Sequence, residues 1–465
     1  MRIASGRRSR RFARAVAAVM MIAVVGAAEL PAAAAAVSQR WLERYGGGDY
    51  ARALGISPDG STVFITGSNG GRRTDGGDFV TVAYDAATGT KRWVGRYDGP
   101  AHGSDSAAAL GVSADGSRVF VAGFSEGSDG NRQSATVAYD AATGAELWNA
   151  RRAFNDYGVE LGTSPDGSIV FVAGEHRGTR GDHSVTVAYA AESGRKLWIA
   201  RRENGLVAAL DVSPNGSKVF ITGGTRGTVH YSNNFATLAY DAATGAQLWM
   251  RRYGPEHTGV AQAIEVSPNG STVFVTGLSD DGSGIGSSTD YATVAYDATA
   301  GIRLWVQRYD GPDHQDDSAQ ALGVSPDGST VFVTGESFAP WPSASTYATI
   351  AYDTGGGAEL WVARYDGTQA GQDSPNAIVV SPDGSQVFVT GWTRGDPGTD
   401  VATVGYNAVT GLEFWSEQYD DPEGSSGTLN SLGISPDGSA LFVSGSTAWP
   451  DSDDWTYTTI AYGVG

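Results

Sequence analysis

One turn sequence of the form Ser-Pro-Asp-Gly-Ser recurs eight times along the chain, at intervals of 49 to 58 residues. The eight copies begin at Ser57, Ser113, Ser164, Ser213, Ser267, Ser325, Ser381 and Ser435. A repeating unit of this length, made of short strands and tight turns, buries its faces against neighbouring copies of itself. The repeat therefore constrains the fold of nearly everything after residue 37.

Each copy predicts four strands, A to D, which in the first copy cover residues 51–57, 62–67, 79–85 and 91–97. Pro58-Asp59-Gly60 suits a tight turn between strands A and B, and residues 85–89 suit a hairpin loop between C and D. Strand B is apolar without alternation, which is typical of a strand covered on both sheet faces. Because no segment after residue 37 has helical periodicity, we predict an all-β fold, an eight-bladed β-propeller with four-stranded blades.

The two ends of the chain predict how the ring of blades closes. The last copy stops in strand C at Tyr462, whereas residues 39–45 match the first strand D, with Trp41 and Tyr45 in the places of Trp93 and Tyr97. An N-terminal strand that completes the last blade leaves no blade short of a strand. We therefore expect residues 37–465 to form a single propeller domain.

Residues 1–36 have the composition of a secretory signal peptide. Six arginines between Arg2 and Arg14 precede an apolar run over 15–28, and Ala34-Ala35-Ala36 offers a cleavage site before Val37. The run is shorter than the roughly 20 residues of a membrane-spanning helix, although a retained anchor is the alternative. We expect a secreted or otherwise extracytoplasmic monomer with no membrane insertion after cleavage.

Charge and cysteine content restrict the partners. The chain has a net charge of −19, and loss of the six leader arginines and Glu29 makes the mature charge about −24. Such a surface repels phosphate backbones and anionic membranes, so nucleic acid is not expected as a partner. Cysteine is absent, so the protein folds without disulfides and offers no thiolate to a metal or to catalysis.

The segment from strand C to strand D carries a motif. Residues 83–93 have the form A-x-D-x-x-T-G-x-x-x-W, which recurs in full at 138–148 and 239–249 and in part in other copies. This motif resembles the tryptophan-docking repeat of quinoprotein-like, PQQ-type eight-bladed propellers, and the resemblance covers all of the mature chain. It implies a Trp that packs between blades and an Asp and Thr that brace the turn. It also implies pyrroloquinoline quinone held under a disulfide of adjacent cysteines, and the lack of cysteine argues against that cofactor.

The variable loops of this fold are the first place to look for a binding site. In such a propeller the A–B and C–D turns share one face, and the variable B–C and D–A loops share the other. Four tryptophans outside the docking set fall in or beside B–C loops of blades 6 to 8: Trp341, Trp392, Trp449 and Trp455. They suit stacking on sugar rings or gripping a peptide, unless they simply cover the ends of their own blades.

Polar side chains also recur at one position of strand A, five residues before the turn serine. They occupy blades 5, 6, 7, 8 and 1, which ring closure makes contiguous: Gln262, Gln320, Asn376, Asn430 and Arg52. We call this set the crescent. Amides with one guanidinium suit a neutral polar ligand that carries hydroxyl groups or a carboxylate, and ordinary channel hydration is the alternative.

Aspartates make the variable face acidic. Asp lies eight residues before the turn serine in five copies, at Asp49, Asp105, Asp156, Asp317 and Asp373. Three more lie together in the last B–C loop, at Asp451, Asp453 and Asp454. Oxygen-rich loops are candidate Ca²⁺ sites, whereas capping of backbone N–H groups is the alternative role of these aspartates.

Three functions follow as hypotheses. We favour an exported binding or scaffold protein for a glycan, a peptide or a cell-envelope partner. The second is a carbohydrate-active enzyme, a glycoside hydrolase or polysaccharide lyase, with the extra tryptophans as a sugar platform and two carboxylates as acid and base. The third is a quinone-dependent dehydrogenase. The sequence does not decide whether the protein is an enzyme, and it identifies no catalytic residue.

Overall fold

The computed structural model describes residues 37–464 with gaps between strands. The gaps are 47–48, 71–75, 153–155, 179–180, 204, 227–232, 255–258, 281–287, 341–344, 368–370, 396–397, 421–426 and 449–454. The description also excludes the side chains of 156–158, 177–178, 181–182, 226 and 233. The described residues form 32 strands and no helix, so none of them belongs to a helix long and apolar enough to cross a membrane.

The strands form eight antiparallel sheets of four, and each sheet is one blade. Blades 1 to 4 comprise β2 (Tyr50–Ile56), β3 (Thr62–Ser68), β4 (Phe79–Asp85) and β5 (Lys91–Tyr97); β6 (Asp105–Val112), β7 (Arg118–Glu126), β8 (Arg132–Asp140) and β9 (Glu146–Arg152); β10 (Asp156–Thr163), β11 (Ile169–Gly178), β12 (Gly181–Ala190) and β13 (Lys196–Glu203); β14 (Ala209–Val212), β15 (Lys218–Arg226), β16 (Asn233–Asp241) and β17 (Gln247–Tyr253).

Blades 5 to 8 comprise β18 (Gly259–Val266), β19 (Thr272–Asp280), β20 (Thr289–Asp297) and β21 (Arg303–Tyr309); β22 (Asp317–Val324), β23 (Thr330–Phe338), β24 (Ser345–Asp353) and β25 (Glu359–Tyr365); β26 (Ser374–Val380), β27 (Gln386–Gly395), β28 (Gly398–Asn407) and β29 (Glu413–Tyr419); β30 (Gly427–Ile434), β31 (Ala440–Ala448), β32 (Trp455–Gly463) and β1 (Ser38–Tyr45). The fold is the predicted eight-bladed all-β propeller.

Blade 8 combines both chain ends. Its sheet order is β30, β31, β32 and then β1, which pairs antiparallel with β32. Trp41 of β1 also reaches blade 1, where its Nε1–H donates to the carbonyl oxygen of Ala86 at 3.0 Å. The N-terminal strand therefore closes the ring, as predicted.

The repeated turn forms because its side chains complete its backbone hydrogen bonds. In blade 1 the hydroxyl of Ser57 donates to Asp59 at 2.5 Å and accepts the N–H of Thr62 at 2.9 Å. Gly60 has a φ of 72°, a left-handed conformation that favours glycine. These contacts explain why the turn residues recur in every copy.

The core lies between neighbouring blades, and the docking tryptophans join them. The indole of Trp93 donates to the carbonyl oxygen of Ala141 in blade 2 at 2.9 Å and packs over Gly144. Equivalent bonds lead from Trp41, Trp148, Trp198, Trp249, Trp305 and Trp361 to the next blade. Trp415 makes no such bond to a described residue; it packs against the ring of Tyr462 in blade 8, with ring centroids 5.1 Å apart. The architectural role implied by the resemblance is therefore present.

A second inter-blade contact was not predicted. Three residues after the docking Trp, strand D carries an arginine in every blade except blade 7, where it is Gln418. Arg44 donates to the hydroxyl of Tyr419 in the preceding blade at 2.7 Å, and Arg96 donates to that of Tyr45 at 3.2 Å. The chain pattern W-x-x-R-Y is thus a signal for blade-to-blade contact on the outer strands.

Candidate functional site

The A strands of the eight blades surround the centre of the ring. Each contacts the A strand of the next blade, from β2 and β6 round to β30 and β2. All the gaps in the described chain fall in B–C and D–A loops, on the variable face. The site is therefore built from the strands that lead to that face.

The crescent position coincides with a β-bulge in strand A. Arg52, Gln262, Gln320, Asn376 and Asn430 each lack a partner in the register between strands A and B. Blade 2 has the same bulge at an alanine, whereas in blade 3 the bulge is one residue earlier. A bulge adds an unpaired residue and redirects its side chain, which makes it a common feature of binding sites. The residue type at this position could not have predicted the bulge, since both alanine and arginine occupy it.

The structure brings two crescent side chains into contact and links the third blade through its backbone. The side-chain amide of Asn376 donates to that of Asn430 at 2.9 Å, across blades 7 and 8. The hydroxyl of Ser431 in blade 8 donates to the backbone carbonyl of Arg52 in blade 1 at 3.2 Å. Gln262 and Gln320 are half-buried, and Gln320 lies 3.5 Å from the hydroxyl of Ser318 in its own strand. The amides of blades 7 and 8 are therefore in direct contact, and the bulge of blade 1 is linked to blade 8 through its backbone.

Two of the four extra tryptophans can be placed. Trp392 is half-buried on β27, opposite Ser374. Trp455 begins β32 and packs on Tyr50 of blade 1, with ring centroids 5.4 Å apart. Trp341 and Trp449 lie outside the described residues. Trp455 thus covers the junction of blades 8 and 1, and a sugar or peptide platform stays a prediction.

The recurrent aspartates cap loop backbones. Asp373 is buried, and its carboxylate accepts the N–H groups of Gly367 at 2.7 Å and Arg394 at 3.1 Å. Asp105 is buried in the same way and accepts the N–H groups of Gly99 and Glu126. Burial raises the pKa of Asp373 to about 6. The side chain of Asp156 and the candidate Ca²⁺ ligands Asp451, Asp453 and Asp454 lie outside the described residues.

Carboxylates in the channel were missed by the sequence reasoning. Two residues before the turn serine, five blades have glycine and blade 7 has Val379. In four of the five a Cβ would strike the next blade: on Gly55 it would lie 2.4 Å from Leu110. Blades 4 and 5 instead carry Asp211 and Glu265. In the aligned repeats Asp211 and Glu265 stand where most copies have glycine, and this difference could have identified them from the sequence.

Both carboxylates bridge neighbouring A strands. Asp211 accepts the N–H of Val266 in blade 5 at 2.7 Å, and Glu265 accepts that of Val324 in blade 6 at 3.2 Å. Burial raises the pKa of Asp211 to about 6, and burial together with the charge of Asp211 raises that of Glu265 to about 8. Burial also raises the pKa of Glu160 in blade 3 to about 7. One side of the channel therefore holds acids that titrate near neutral pH.

Comparison with known proteins assigns the family. A model of the PQQ-like repeat family described as outer membrane protein assembly factor BamB matches residues 77–277 and 181–345, overlapping spans that cover more than half of the chain. The chain belongs to this family. No curated protein matches this PQQ-like repeat protein in sequence.

Solved structures share the propeller fold. Sqt1 of Chaetomium thermophilum has a TM-score of 0.61 and 14% identity over 92% of this chain and 98% of its own. Quinohemoprotein alcohol dehydrogenase from Comamonas testosteroni has a TM-score of 0.59 and 12% identity over 92% of this chain and 76% of its own. At these identities the likeness shows the fold alone.

The residues of this PQQ-like repeat protein do not fit the quinone site that the resemblance implies. The chain has no cysteine to form the disulfide over the cofactor. The A strands of the described chain carry no tryptophan that could stack on the flat quinone, because the docking tryptophans lie on the D strands. No chemical step is therefore derived through pyrroloquinoline quinone.

Proposed function

We propose that the protein is an exported binding or scaffold propeller that recognises a peptide, glycan or cell-envelope partner through blades 5 to 8 and 1. The observation that carries the proposal is the row of bulged A strands whose extra residues are amides and one guanidinium. The family description, an outer membrane assembly factor, supports an extracytoplasmic scaffold. The similar propeller Sqt1 is known bound to the N-terminus of the ribosomal protein L10, which supports a peptide segment as the partner.

The chemistry of the crescent defines the ligand. A carboxamide offers both donors and acceptors, so Asn376 and Asn430 suit hydroxyl groups or peptide N–H and C=O groups equally. Arg52 is exposed and supplies a planar donor for a carboxylate. The ligand that fits is therefore polar and carries at most a local negative group, such as a peptide or glycan carboxylate.

The test is a peptide and glycan array probed with the purified protein. Wild type is expected to bind a restricted set of probes, and the double variant Asn376→Ala, Asn430→Ala to bind the same probes at least tenfold more weakly. Alanine already occupies this position in blade 2, so the fold is expected to tolerate the change. The control Ala108→Asn adds an amide outside the crescent and is expected to change nothing. A blank array, or equal binding by the double variant, would refute the proposal.

One observation favours the carbohydrate-active enzyme as a second candidate. Asp211 and Glu265 are carboxyl groups on neighbouring A strands, and their pKa values are raised to about 6 and about 8. A difference in pKa between two carboxyl groups is the usual basis of paired acid and base roles. The test is product release from a polysaccharide panel. The enzyme is supported if Glu265→Gln abolishes the activity and the double crescent variant only weakens it. If no polysaccharide in the panel gives a product, the enzyme is excluded for that panel.

A further inference from the structure

The repeat changes its charge at the junction of blades 3 and 4. Four residues after the docking Trp, six blades have tyrosine, whereas blades 2 and 3 have Arg152 and Arg202. Eight residues before the turn serine, the blade that follows Arg152 keeps the recurrent aspartate as Asp156, but the blade that follows Arg202 has Gly205. The sequence therefore combines an added cation with a lost acid only between blades 3 and 4.

At other junctions this position holds a tyrosine that pairs with an arginine of the neighbouring blade. Arg96 donates to the hydroxyl of Tyr45 at 3.2 Å, and Arg364 is bonded through Nη2 to the hydroxyl of Tyr309. Burial raises the pKa of Tyr309, the charge of Arg364 lowers it, and the charge of the recurrent aspartate Asp317 raises it. The arginine there has both a hydroxyl group and a carboxylate beside it.

The backbone register places Arg202 at the junction of blades 3 and 4. Arg202 lies opposite Ser184 in the pairing of β12 with β13. A Cβ on Gly205 of blade 4 would stand 2.6 Å from the hydroxyl oxygen of Ser184, so this face of blade 3 is turned to blade 4. Gly205 forms a bridge with Thr225 of β15. Because directly opposed residues share a sheet face, Arg202, Gly205 and Thr225 border the same junction.

No carboxylate of the described residues balances the charge of Arg202. Burial and the charge of Arg252 in blade 4 lower the pKa of Arg202, and Tyr240 acts in the opposite direction. The side chain of Arg202 is half-buried, and its Nε has no hydrogen-bond partner in the described part of the chain. Glu175 is buried at the same junction, but its carboxylate accepts the N–H of Val207 at 3.1 Å and does not act on Arg202.

A buried hydroxyl group gives an independent observation at this junction. Thr225 is only 1% exposed, and its Oγ1 makes no hydrogen bond with the residues that the structure describes. Buried polar groups are nearly always hydrogen-bonded, and neighbouring like charges repel each other. The junction therefore offers two guanidinium groups and a hydroxyl group that can all donate to an anion.

We propose that Arg202, Arg252 and Thr225 bind the carboxylate group of a ligand, which takes the place that the recurrent aspartate holds at five other junctions. The planar guanidinium group matches a carboxylate through two parallel hydrogen bonds. Gly205 leaves the aspartate's place without a side chain. The site lies between blades 3 and 4, outside the crescent, and does not depend on the proposed partner of blades 5 to 8 and 1.

The test is thermal unfolding at rising concentrations of sodium acetate, with ionic strength held constant by NaCl. Wild type is compared with Arg202→Tyr and with the matched control Arg152→Tyr. Acetate at about ten times its dissociation constant raises the midpoint of a chain of this size by about 1–2 °C. Wild type and Arg152→Tyr are expected to show this saturable rise, and Arg202→Tyr to lose it. The non-specific effect of acetate is common to all three proteins.

Inorganic phosphate in place of acetate tests the choice of a carboxylate, and a smaller rise is expected. Four results would overturn the proposal: no saturable rise in wild type, an equal rise in Arg202→Tyr, loss of the rise in Arg152→Tyr, or as large a rise with phosphate.

Both variants are expected to fold, because tyrosine occupies the position in six blades. Near-ultraviolet circular dichroism checks this. If Arg202→Tyr does not fold, Arg252→Gln takes its place with the same expected loss, since blade 7 has Gln418 at the aligned position.

Discussion

Replacement of Glu265 by glutamine is expected to stabilise the protein at alkaline pH and leave it nearly unchanged in acid. Burial and the charge of Asp211 raise the pKa of Glu265 from 4.5 to about 8 in the native state. At pH values between 4.5 and about 8, Glu265 is protonated in the native state and ionised in the unfolded chain. The free energy of unfolding therefore falls as the pH rises through this interval, and the glutamine variant lacks this loss.

The size of the effect follows from the shift in pKa. A tenfold change in a protonation equilibrium corresponds to about 1.4 kcal/mol, so a rise from 4.5 to about 8 amounts to at most about 5 kcal/mol. Because the channel leaves the side chain partly exposed, we expect about 2–4 kcal/mol at pH 9. For roughly 430 residues the unfolding entropy is about 0.9 kcal/mol per kelvin, which converts this to about 2–4 °C.

The assay is thermal unfolding of wild type and Glu265→Gln at pH 5 and pH 9, followed by calorimetry. The difference in midpoint between the proteins is expected to be under about 1 °C at pH 5 and about 2–4 °C in favour of the variant at pH 9. Glu359→Gln, at an exposed position on β25, is the control and is expected to shift neither midpoint. A variant that is less stable than wild type at pH 9, or a difference independent of pH, would refute the reasoning.

Two further predictions concern contacts between blades. Gly144→Ala is expected to lower the free energy of unfolding by about 2–4 kcal/mol, because φ is 72° and the new Cβ would lie 2.6 Å from the Trp93 ring. The control Gly130→Ala, with φ 73° and open space around the new Cβ, should lower it by only about 1 kcal/mol. Equal losses for the two variants on urea unfolding would contradict this. Trp305→Phe removes the hydrogen bond to the Thr354 carbonyl oxygen and should lower the free energy of unfolding by about 1–3 kcal/mol. Trp415→Phe, next to Tyr462, should lower it by less. A larger loss for Trp415→Phe in the same urea assay would be inconsistent with docking.

The repeat made the fold predictable because its turns and apolar strands carry local signals. The serine and aspartate of each turn satisfy backbone groups within five residues, so the pattern is readable without the tertiary structure. The missing strand D after Tyr462 and the matching segment around Trp41 likewise predicted closure, which the pairing of β1 with β32 confirms.

The site was only partly predictable, because its geometry depends on register and on neighbouring blades. The crescent position was found from its polar residues, but nothing in Asn376 or Asn430 signals that a bulge sets their direction. The bridges made by Asp211 and Glu265 depend on N–H groups of the next blade, more than 50 residues away. The roles of Trp341 and Trp449 stay predictions, since both lie outside the described residues.

Hydrogen–deuterium exchange with the tightest-binding probe from the arrays tests the central claim, recognition at the bulged A strands, most directly. The account predicts slower exchange at the starts of β18, β22, β26, β30 and β2 when the probe is bound, with β6, β10 and β14 unchanged. Protection confined to the outer strands, or to blades 2 to 4, would contradict it.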